Sequence, residues 1–216
     1  PARDWLSDNV TLVDLECDHT RASIMALRRR LALRNPRMLF STMLDANIVA
    51  SMATVGLSQR PALIHRETNS HIARSDIGPL RRLGAKWAYR RADKIIALSD
   101  GVGRELTALY GLPEGKTQTI HNPVDISGIL SAAHVARGQP APWGEWASGG
   151  PVLLGVGRLT RQKGFDLLLR AVARLPGSSV RTVLLGDGPD RLLLERLGRE
   201  LGLGDRLLMP GFVADP

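Results

Sequence analysis

Two glycine-containing turns in the second half of the sequence carry the residues best suited to bind a ligand. In the first, GVGRLTRQKGFD, Gly155 and Gly157 follow an apolar run and allow a tight backbone turn. Arg158 and Lys163 place cations just before a predicted helix, whose N-terminal N–H groups already favour an anion. This combination suits a pyrophosphate, although basic residues near a turn are also common on ordinary surfaces. A nicotinamide site is not indicated, because Thr160 occupies the third glycine position of that fingerprint.

The second turn, LLGDGPD, follows the apolar run VRTVLLG. Gly186 and Gly188 permit the close approach of a ligand, and a plain tight turn explains them nearly as well. Asp187 and Asp190 fit a role in capping the following helix, and the proline between them is predicted as its first residue.

Strand-like apolar runs alternate with helical periodicity along the chain. In the first half this pattern predicts strands over 10–15, 37–42, 61–65, 94–98 and 117–123, and helices over 20–34, 45–57, 79–92 and 100–110. In the second half it predicts strands over 151–157, 180–186 and 206–211, and helices over 164–175 and 189–202. Such alternation is typical of α/β domains with parallel sheets, in which ligands bind beyond the carboxyl ends of the strands. Both glycine-containing turns lie at such ends.

The composition of the chain limits which partners, disulfides and metal sites are possible. Lys and Arg total 29 against 21 Asp and Glu, a net charge of +8, which suits nucleic acid, an anionic membrane or a phosphorylated small molecule. Aromatic residues make up only 4%, so platforms for stacking bases are scarce, and we do not expect a nucleic-acid partner. Cys17 is the only cysteine, which excludes an internal disulfide and fits a cytoplasmic location. The five histidines show no metal-binding spacing, so we expect no metal. Because the nicotinamide fingerprint is incomplete as well, we expect no cofactor.

Five segments, taken in order, resemble family 4 glycosyltransferases (glycosyl transferases group 1). These segments are RADKIIALSDGV, TIHNPVD, PVLLGVGRLTRQKGFDLLLRAV, LLGDGP and MPGF. The resemblance is close over residues 92–216 and looser before them. It implies a GT-B fold, in which two Rossmann-like domains face a cleft and the second binds a nucleoside-diphosphate sugar.

The resemblance also implies roles for individual residues. Arg158 and Lys163 would hold the donor diphosphate and stabilise the departing phosphate, which makes them the catalytic candidates. The donor-binding set that it implies is Gly157, Arg158, Lys163, Gly186, Gly188, Gly211 and Phe212. Transfer with retention of configuration and without a metal ion is likewise implied by the family.

The resemblance sets an expected layout for the chain. Residues 1–123 would be the later part of an acceptor-side domain, 124–150 a linker rich in glycine and proline, and 151–216 the first part of the donor domain. The family's first strand, its glycine-rich acceptor loop and its acidic donor-sugar motif have no counterpart here. We therefore expect both domains to be incomplete and this polypeptide by itself not to catalyse transfer.

His65 is a further catalytic candidate, because it ends a predicted strand on the acceptor side. It would position a sugar or acceptor hydroxyl, with Arg66 or Glu67 as rivals for that role. A structural histidine, hydrogen-bonded at the strand end, is the alternative interpretation.

The expected function is transfer of a sugar from a nucleotide sugar to a saccharide or a lipid-linked acceptor. A nucleotide-sugar epimerase or a phosphorylase of the same fold, and a non-catalytic nucleic-acid-binding module, are the alternatives. We also expect peripheral association with the anionic inner face of the cell membrane through the helix at 79–92. There, Leu80, Leu83 and Trp87 would face the domain and leave the cations outside.

Overall fold

The computed structural model describes residue 7 and residues 9–72, 77–137, 143–175 and 179–213 of the 216-residue chain. The chain divides into two compact units, Pro1–Asp125 and Ile126–Pro216. Each unit contains one parallel sheet with helices between its strands. The α/β class with two parallel sheets, predicted from the alternation of strands and helices, is confirmed.

The described part of the first unit contains four strands and four helices. The strands are β1 (Met38–Thr42), β2 (Ala62–Glu67), β3 (Lys94–Ala97) and β4 (Thr117–Thr119). The helices are α1 (Thr20–Arg34), α2 (Leu44–Ala53), α3 (Pro79–Arg91) and α4 (Asp100–Tyr110). The sheet order β1-β2-β3-β4 follows the chain, so right-handed crossovers place α2, α3 and α4 on the same face. The contacts agree, since α3 packs on both α2 and α4, and α1 packs on α2.

The helix-facing side of this sheet forms the core of the first unit. Leu63 and Ile95 are fully buried on neighbouring strands and alternate with residues of the opposite face, such as Ile64, which is partly exposed. Burial of each such side chain contributes about 1.5–3 kcal/mol. On the opposite face, Met38 and Phe40 remain 56% and 51% exposed. The helices therefore cover one face of the sheet among the described residues.

The expected apolar stripe of α3 lies on the solvent side, so that prediction is wrong. Its members are Leu80, Leu83 and Trp87, which are 80%, 64% and 42% exposed. The helix packs instead through Ala85, Ala88 and Tyr89, each fully buried. Small alanines let α3 approach its neighbours closely, and this contact, rather than side-chain size, decides which face is buried.

The largest differences between the predicted elements and the structure lie in the first unit. Residues 10–15 form no strand. A β-rich composition is not enough by itself, because a strand also needs a neighbouring strand with which its backbone can form hydrogen bonds. Strand β4 ends at Thr119, short of the proline at 123, which has no N–H to donate. Helix α2 ends at Ala53 and not at 57. The Arg28 guanidinium donates to the carbonyl groups of Ala53 and Val55 at this helix end.

The second unit has a three-stranded parallel sheet in the order β5-β6-β7, formed by Val152–Val156, Arg181–Leu185 and Leu207–Gly211. Its helices are α5 (Ile126–Ala136), α6 (Gly144–Ala147), α7 (Phe165–Ala173) and α8 (Arg191–Glu200). Helices α7 and α8 enclose the core, in which Leu169, Leu184 and Leu194 are buried. Helices α5 and α6 lie within the segment 124–150 that we expected to be a linker, and α5 has no buried residue.

Candidate functional site

The carboxyl ends of β5, β6 and β7 meet around a cavity of about 460 Å³ in the second unit. Val156 and Leu185 are register neighbours on β5 and β6, and Leu185 pairs with Gly211 on β7. The cavity is lined by Val156, Gly157, Arg158, Leu185, Gly186, Asp187, Phe212 and Val213. The structure therefore brings together four residues of the predicted donor-binding set: Gly157, Arg158, Gly186 and Phe212.

Backbone contacts between the two glycine-containing turns shape this cavity. Gly186 has φ 127°, and a Cβ on it would lie 2.1 Å from the carbonyl oxygen of Gly157. The Gly157 N–H donates to Leu185 O at 2.9 Å, and the Gly186 N–H donates to Gly211 O at 2.7 Å. No side chain fits between chains this close, so glycine is required at Gly186 for packing as well as for its φ.

Gly188 serves the same packing and does not line the cavity. A Cβ on Gly188 would lie 2.3 Å from the carbonyl oxygen of Leu159, whose own N–H donates to Asp187 O at 2.9 Å. The second turn is thus seated directly on the first. Of the two readings that the sequence allowed for Gly188, the tight turn agrees with this contact, and ligand approach is not supported.

Arg158 and Lys163 lie at the two ends of the first turn, and both are exposed. Arg158 lines the cavity directly. Lys163 closes a 3₁₀ turn (Arg161–Lys163), and its stem passes beside Gly157, where a Cβ would lie 3.5 Å from Lys163 Cε. In the described part of the chain neither cation forms an ion pair with a carboxylate. Their charge is therefore available to an anionic ligand.

Asp187 and Asp190 do not cap α8 in the way that the sequence suggested. Asp190 occupies the N-cap position but its side chain accepts no capping hydrogen bond, and the preceding proline lies outside the helix. Asp187 Oδ1 accepts the N–H of Gly188 at 2.7 Å. Asp187 also lines the cavity, a position that the sequence did not predict because an aspartate before a helix is usually a cap.

His65 has a structural environment that does not fit a catalytic role. It is fully buried, with Ser41 Oγ at 2.8 Å from Nδ1 and Ser51 Oγ at 2.7 Å from Nε2. Burial lowers the pKa of the His65 imidazole to about 4. A substrate cannot reach a ring whose two nitrogens are already bonded inside the core. The catalytic candidacy of His65 is therefore corrected, and the alternative reading of a structural histidine agrees with the structure.

Glu67, one of its two rivals, is also fully buried. Its Oε2 accepts the Tyr89 hydroxyl at 2.6 Å and lies 3.2 Å from Nε2 of His71, which is itself buried. Burial by itself would raise the pKa of the Glu67 carboxyl, but the hydrogen bonds from His71 and Tyr89 hold it below its usual value. This cluster anchors the turn after β2. Arg66, the other rival, is only half-buried and lies at the carboxyl edge of the sheet.

The described residues contain neither a metal-binding cluster nor a membrane-spanning helix. No group of three or more His, Cys, Asp or Glu side chains among them is arranged to hold a metal ion. Within the same residues, no helix has both the length and the apolar character needed to cross a bilayer.

Two family models match the chain in succession. Glycosyltransferase Family 4 matches residues 7–127, more than half of the 216 residues, and Glycosyl transferases group 1 matches residues 144–216. The second match contains the whole of the cavity described above.

Named relatives agree with these matches. The 2-deoxystreptamine glucosyltransferase of Streptomyces kanamyceticus is 31% identical over 137 residues, which cover 62% of this chain and 35% of that protein. The D-inositol 3-phosphate glycosyltransferase of Mycobacterium tuberculosis (strain F11) is 32% identical over 140 residues, which cover 60% of this chain and 27% of that protein. The matched region thus spans about a third of each relative's length.

Solved structures agree on the fold. The lipopolysaccharide outer core galactosyltransferase WaaB superposes with a TM-score of 0.64 at 20% identity, covering 91% of this chain and 50% of that one. HepE from Anabaena, solved in complex with UDP, gives 0.67 at 20% identity, covering 89% and 52%. The GT-B fold that the motif series implied is thereby confirmed, and the chain belongs to glycosyltransferase family 4.

Proposed function

We propose that the whole protein transfers a sugar from a nucleoside-diphosphate sugar to a saccharide or lipid-linked acceptor, with retention of configuration. One observation carries the proposal: Arg158 and Lys163, which pair with no carboxylate among the described residues, flank a backbone-built cavity at the carboxyl edge of a parallel sheet. Anionic ligands bind at such edges, where backbone N–H groups and helix N-termini point outward. The structures of HepE with UDP and with UDP-glucose, which share this fold, support a nucleotide sugar as the ligand.

In this proposal the cations act on the leaving group. Negative charge grows on the diphosphate oxygen as its bond to the sugar breaks, and cations that are already in place lower that barrier. The guanidinium of Arg158 offers paired N–H donors, while the Lys163 ammonium offers a compact charge. Together they could neutralise the diphosphate without a metal ion, so we propose metal-independent transfer. Phe212, 80% exposed at the cavity, and Gly211 would lie near the nucleotide base.

The donor site is tested by calorimetry with UDP, GDP and ADP on the whole protein. Because each charge-assisted contact is worth about 1.5–3 kcal/mol, Arg158→Ala and Lys163→Ala should each weaken the preferred nucleotide at least tenfold. Arg161→Ala is the matched control, since Arg161 is an exposed cation of the same turn that does not line this cavity. Equal affinities in all four proteins would contradict the assignment. A nucleotide-sugar epimerase would instead release an altered donor when no acceptor is added.

We also propose that α3 binds an anionic membrane surface, where a lipid-linked acceptor would be found. Its outward stripe recurs at positions 80, 83 and 87, on the side of the helix away from the buried Ala85 and Tyr89. Exposed cations at Arg82, Lys86 and Arg90 line the neighbouring flank of the helix. An outward apolar stripe beside cations is the pattern of helices that lie in the membrane interface.

Co-sedimentation with vesicles of phosphatidylglycerol and of phosphatidylcholine tests this surface. Leu80→Ser with Leu83→Ser should release the protein from anionic vesicles without unfolding it, because both side chains are already exposed. Leu33→Ser is the matched control, since Leu33 is 84% exposed on α1. Binding that ignores lipid charge and salt, or that survives the double substitution, would rule out the α3 surface.

A further inference from the structure

The carboxyl edge of the first unit's sheet holds a positively charged side chain in a fixed position. The guanidinium of Arg66 on β2 donates through one terminal nitrogen to Thr42 Oγ1 at 3.1 Å, at the end of β1. It donates through the other to Asn122 Oδ1 at 2.5 Å, beyond the end of β4. Thr42 and Arg66 are register neighbours. The guanidinium is therefore held between two segments that reach the same edge of the sheet.

The anchoring segment after β4 is itself fixed. The N–H of Ile120 donates to Ala97 O at 2.9 Å, and His121 Nδ1 lies 3.0 Å from Leu98 O at the end of β3. These contacts hold the chain over the end of β3 and place Asn122 in reach of Arg66. The position of the guanidinium is thus set by the fold and requires no ligand.

The partners of Arg66 leave its charge uncompensated. Threonine and asparagine are neutral acceptors, and among the described residues no carboxylate forms an ion pair with Arg66. Other arginines of this unit differ: Arg60 pairs with Asp93 at 2.8 Å and Arg81 pairs with Asp45 at 2.8 Å. A half-buried guanidinium with N–H donors to spare is well suited to bind a planar or tetrahedral oxyanion.

We propose that Arg66 is a specificity-determining residue that binds an oxyanion, a phosphate or a carboxylate, on the acceptor. The inference rests on the proposed glycosyl transfer, because the carboxyl edge of a parallel sheet is where its unit would receive a ligand. It goes further by fixing the acceptor's chemistry: the acceptor is anionic close to the hydroxyl that receives the sugar. Thr42 and Asn122 act as positioning residues for the guanidinium.

Three hexoses that differ only at carbon 6 test this proposal: glucose 6-phosphate, glucuronate and glucose. Binding is followed by NMR titration of the whole protein carrying Arg158→Ala and Lys163→Ala, which removes the competing diphosphate site. One or both anionic sugars should bind at least about tenfold more tightly than glucose, as expected for a charge-assisted contact. The stronger of the two anions identifies the phosphate or the carboxylate as the acceptor group. Equal binding of all three sugars overturns the proposal.

Two substitutions separate ligand binding from a merely structural role. Arg66→Gln should abolish the preference for the anionic sugars, whereas Arg29→Gln on the exposed face of α1 should keep it. Asn122→Asp separates the two roles more sharply. The new carboxylate would strengthen the contact with Arg66 and at the same time cancel the charge of the guanidinium. It should preserve thermal stability and still abolish the preference. A preference that survives in Asn122→Asp and in Arg66→Gln would show that Arg66 only joins the two segments.

A separate measurement distinguishes this inference from the function on which it rests. UDP binding is measured in proteins that retain Arg158 and Lys163, with and without Arg66→Gln. Unchanged UDP binding with loss of the anionic preference supports both proposals. Absence of nucleotide binding in the parent protein would refute the donor site, and the hexose titrations would still report on Arg66.

Discussion

Substitution of Gly186 by alanine tests whether the candidate donor site depends on direct backbone contact between its two turns. The added Cβ would lie 2.1 Å from the oxygen and 2.9 Å from the carbon of the Gly157 carbonyl. Non-bonded heavy atoms prefer separations of roughly 3.5 Å, so the turns would have to separate by more than about 1 Å. That movement would break or lengthen the bonds that Gly157 and Gly186 donate to Leu185 and Gly211.

The expected cost follows from these contacts. An alanine held at φ 127° is strained by about 1–3 kcal/mol, and each weakened backbone hydrogen bond adds about 1 kcal/mol. We expect Gly186→Ala to lower the free energy of unfolding by about 3 kcal/mol or more. Arg158 follows Gly157 directly, so nucleotide affinity should fall as well, measured under conditions in which the variant is still folded.

Gly202→Ala is the matched control. Gly202 also has a positive φ, 67°, but no atom lies within 4 Å of a Cβ built there. It should cost only the intrinsic penalty of the left-handed conformation, about 1–2 kcal/mol, and leave nucleotide binding intact. Urea unfolding of the three proteins, followed by calorimetry with the preferred nucleotide, makes the comparison. If Gly186→Ala were no more damaging than Gly202→Ala, the close contact between the turns would not exist in solution.

Two further predictions concern the buried polar groups of the first unit. Because burial keeps His65 neutral in the folded state, the unfolded state takes up a proton first as the pH falls. The free energy of unfolding should therefore fall by up to about 3 kcal/mol between pH 6.5 and about 4. Urea unfolding of wild type and His65→Gln at several pH values isolates this loss. Tyr89→Phe removes a donor from the buried Glu67 carboxylate and should cost about 1.5–3 kcal/mol. Tyr110→Phe should cost less, because its hydroxyl lies 2.7 Å from Nδ1 of His71 and makes no hydrogen bond to a carboxylate of the described residues. Equal thermal shifts for the two tyrosine variants would contradict a charged Glu67.

Much of the fold could be predicted from local patterns. Helix α4 begins after Ser99, whose Oγ accepts the N–H of Val102 at 3.2 Å, and ends at Gly111 with φ 59°, because both ends depend on residues within one turn. The face of α3 could not be predicted in the same way. Which stripe is buried depends on how α3 packs against α2 and α4, and that packing is made through Ala85, Ala88 and Tyr89.

In the candidate sites, too, features set by neighbouring residues could be predicted, and features set by packing between elements could not. Arg158 and Lys163 could be proposed from the sequence because their charges are visible in single residues beside a predicted helix, and they remain a proposal. A structural His65 was one of two interpretations that the sequence allowed. Its partners could not be predicted, because Ser41 and Ser51 come from two other elements and their spacing in the sequence carries no signal. The position of Asp187 at the cavity was missed for a related reason, since its local pattern is that of a helix cap.

The glycine contacts connect the fold of the second unit to its proposed chemistry. A cation lowers a barrier most when little free energy is needed to bring it into place, so its backbone should be fixed before the ligand arrives. Gly157, which precedes Arg158 and supports the stem of Lys163, is held by its bond to Leu185 and by its contact with Gly186. Both cations are therefore attached to a turn whose position is set by backbone packing, while their own side chains stay exposed. Larger residues at Gly157 or Gly186 would move both cations together, so loss of nucleotide binding in such variants should not be rescued by adding positive charge elsewhere in the turn.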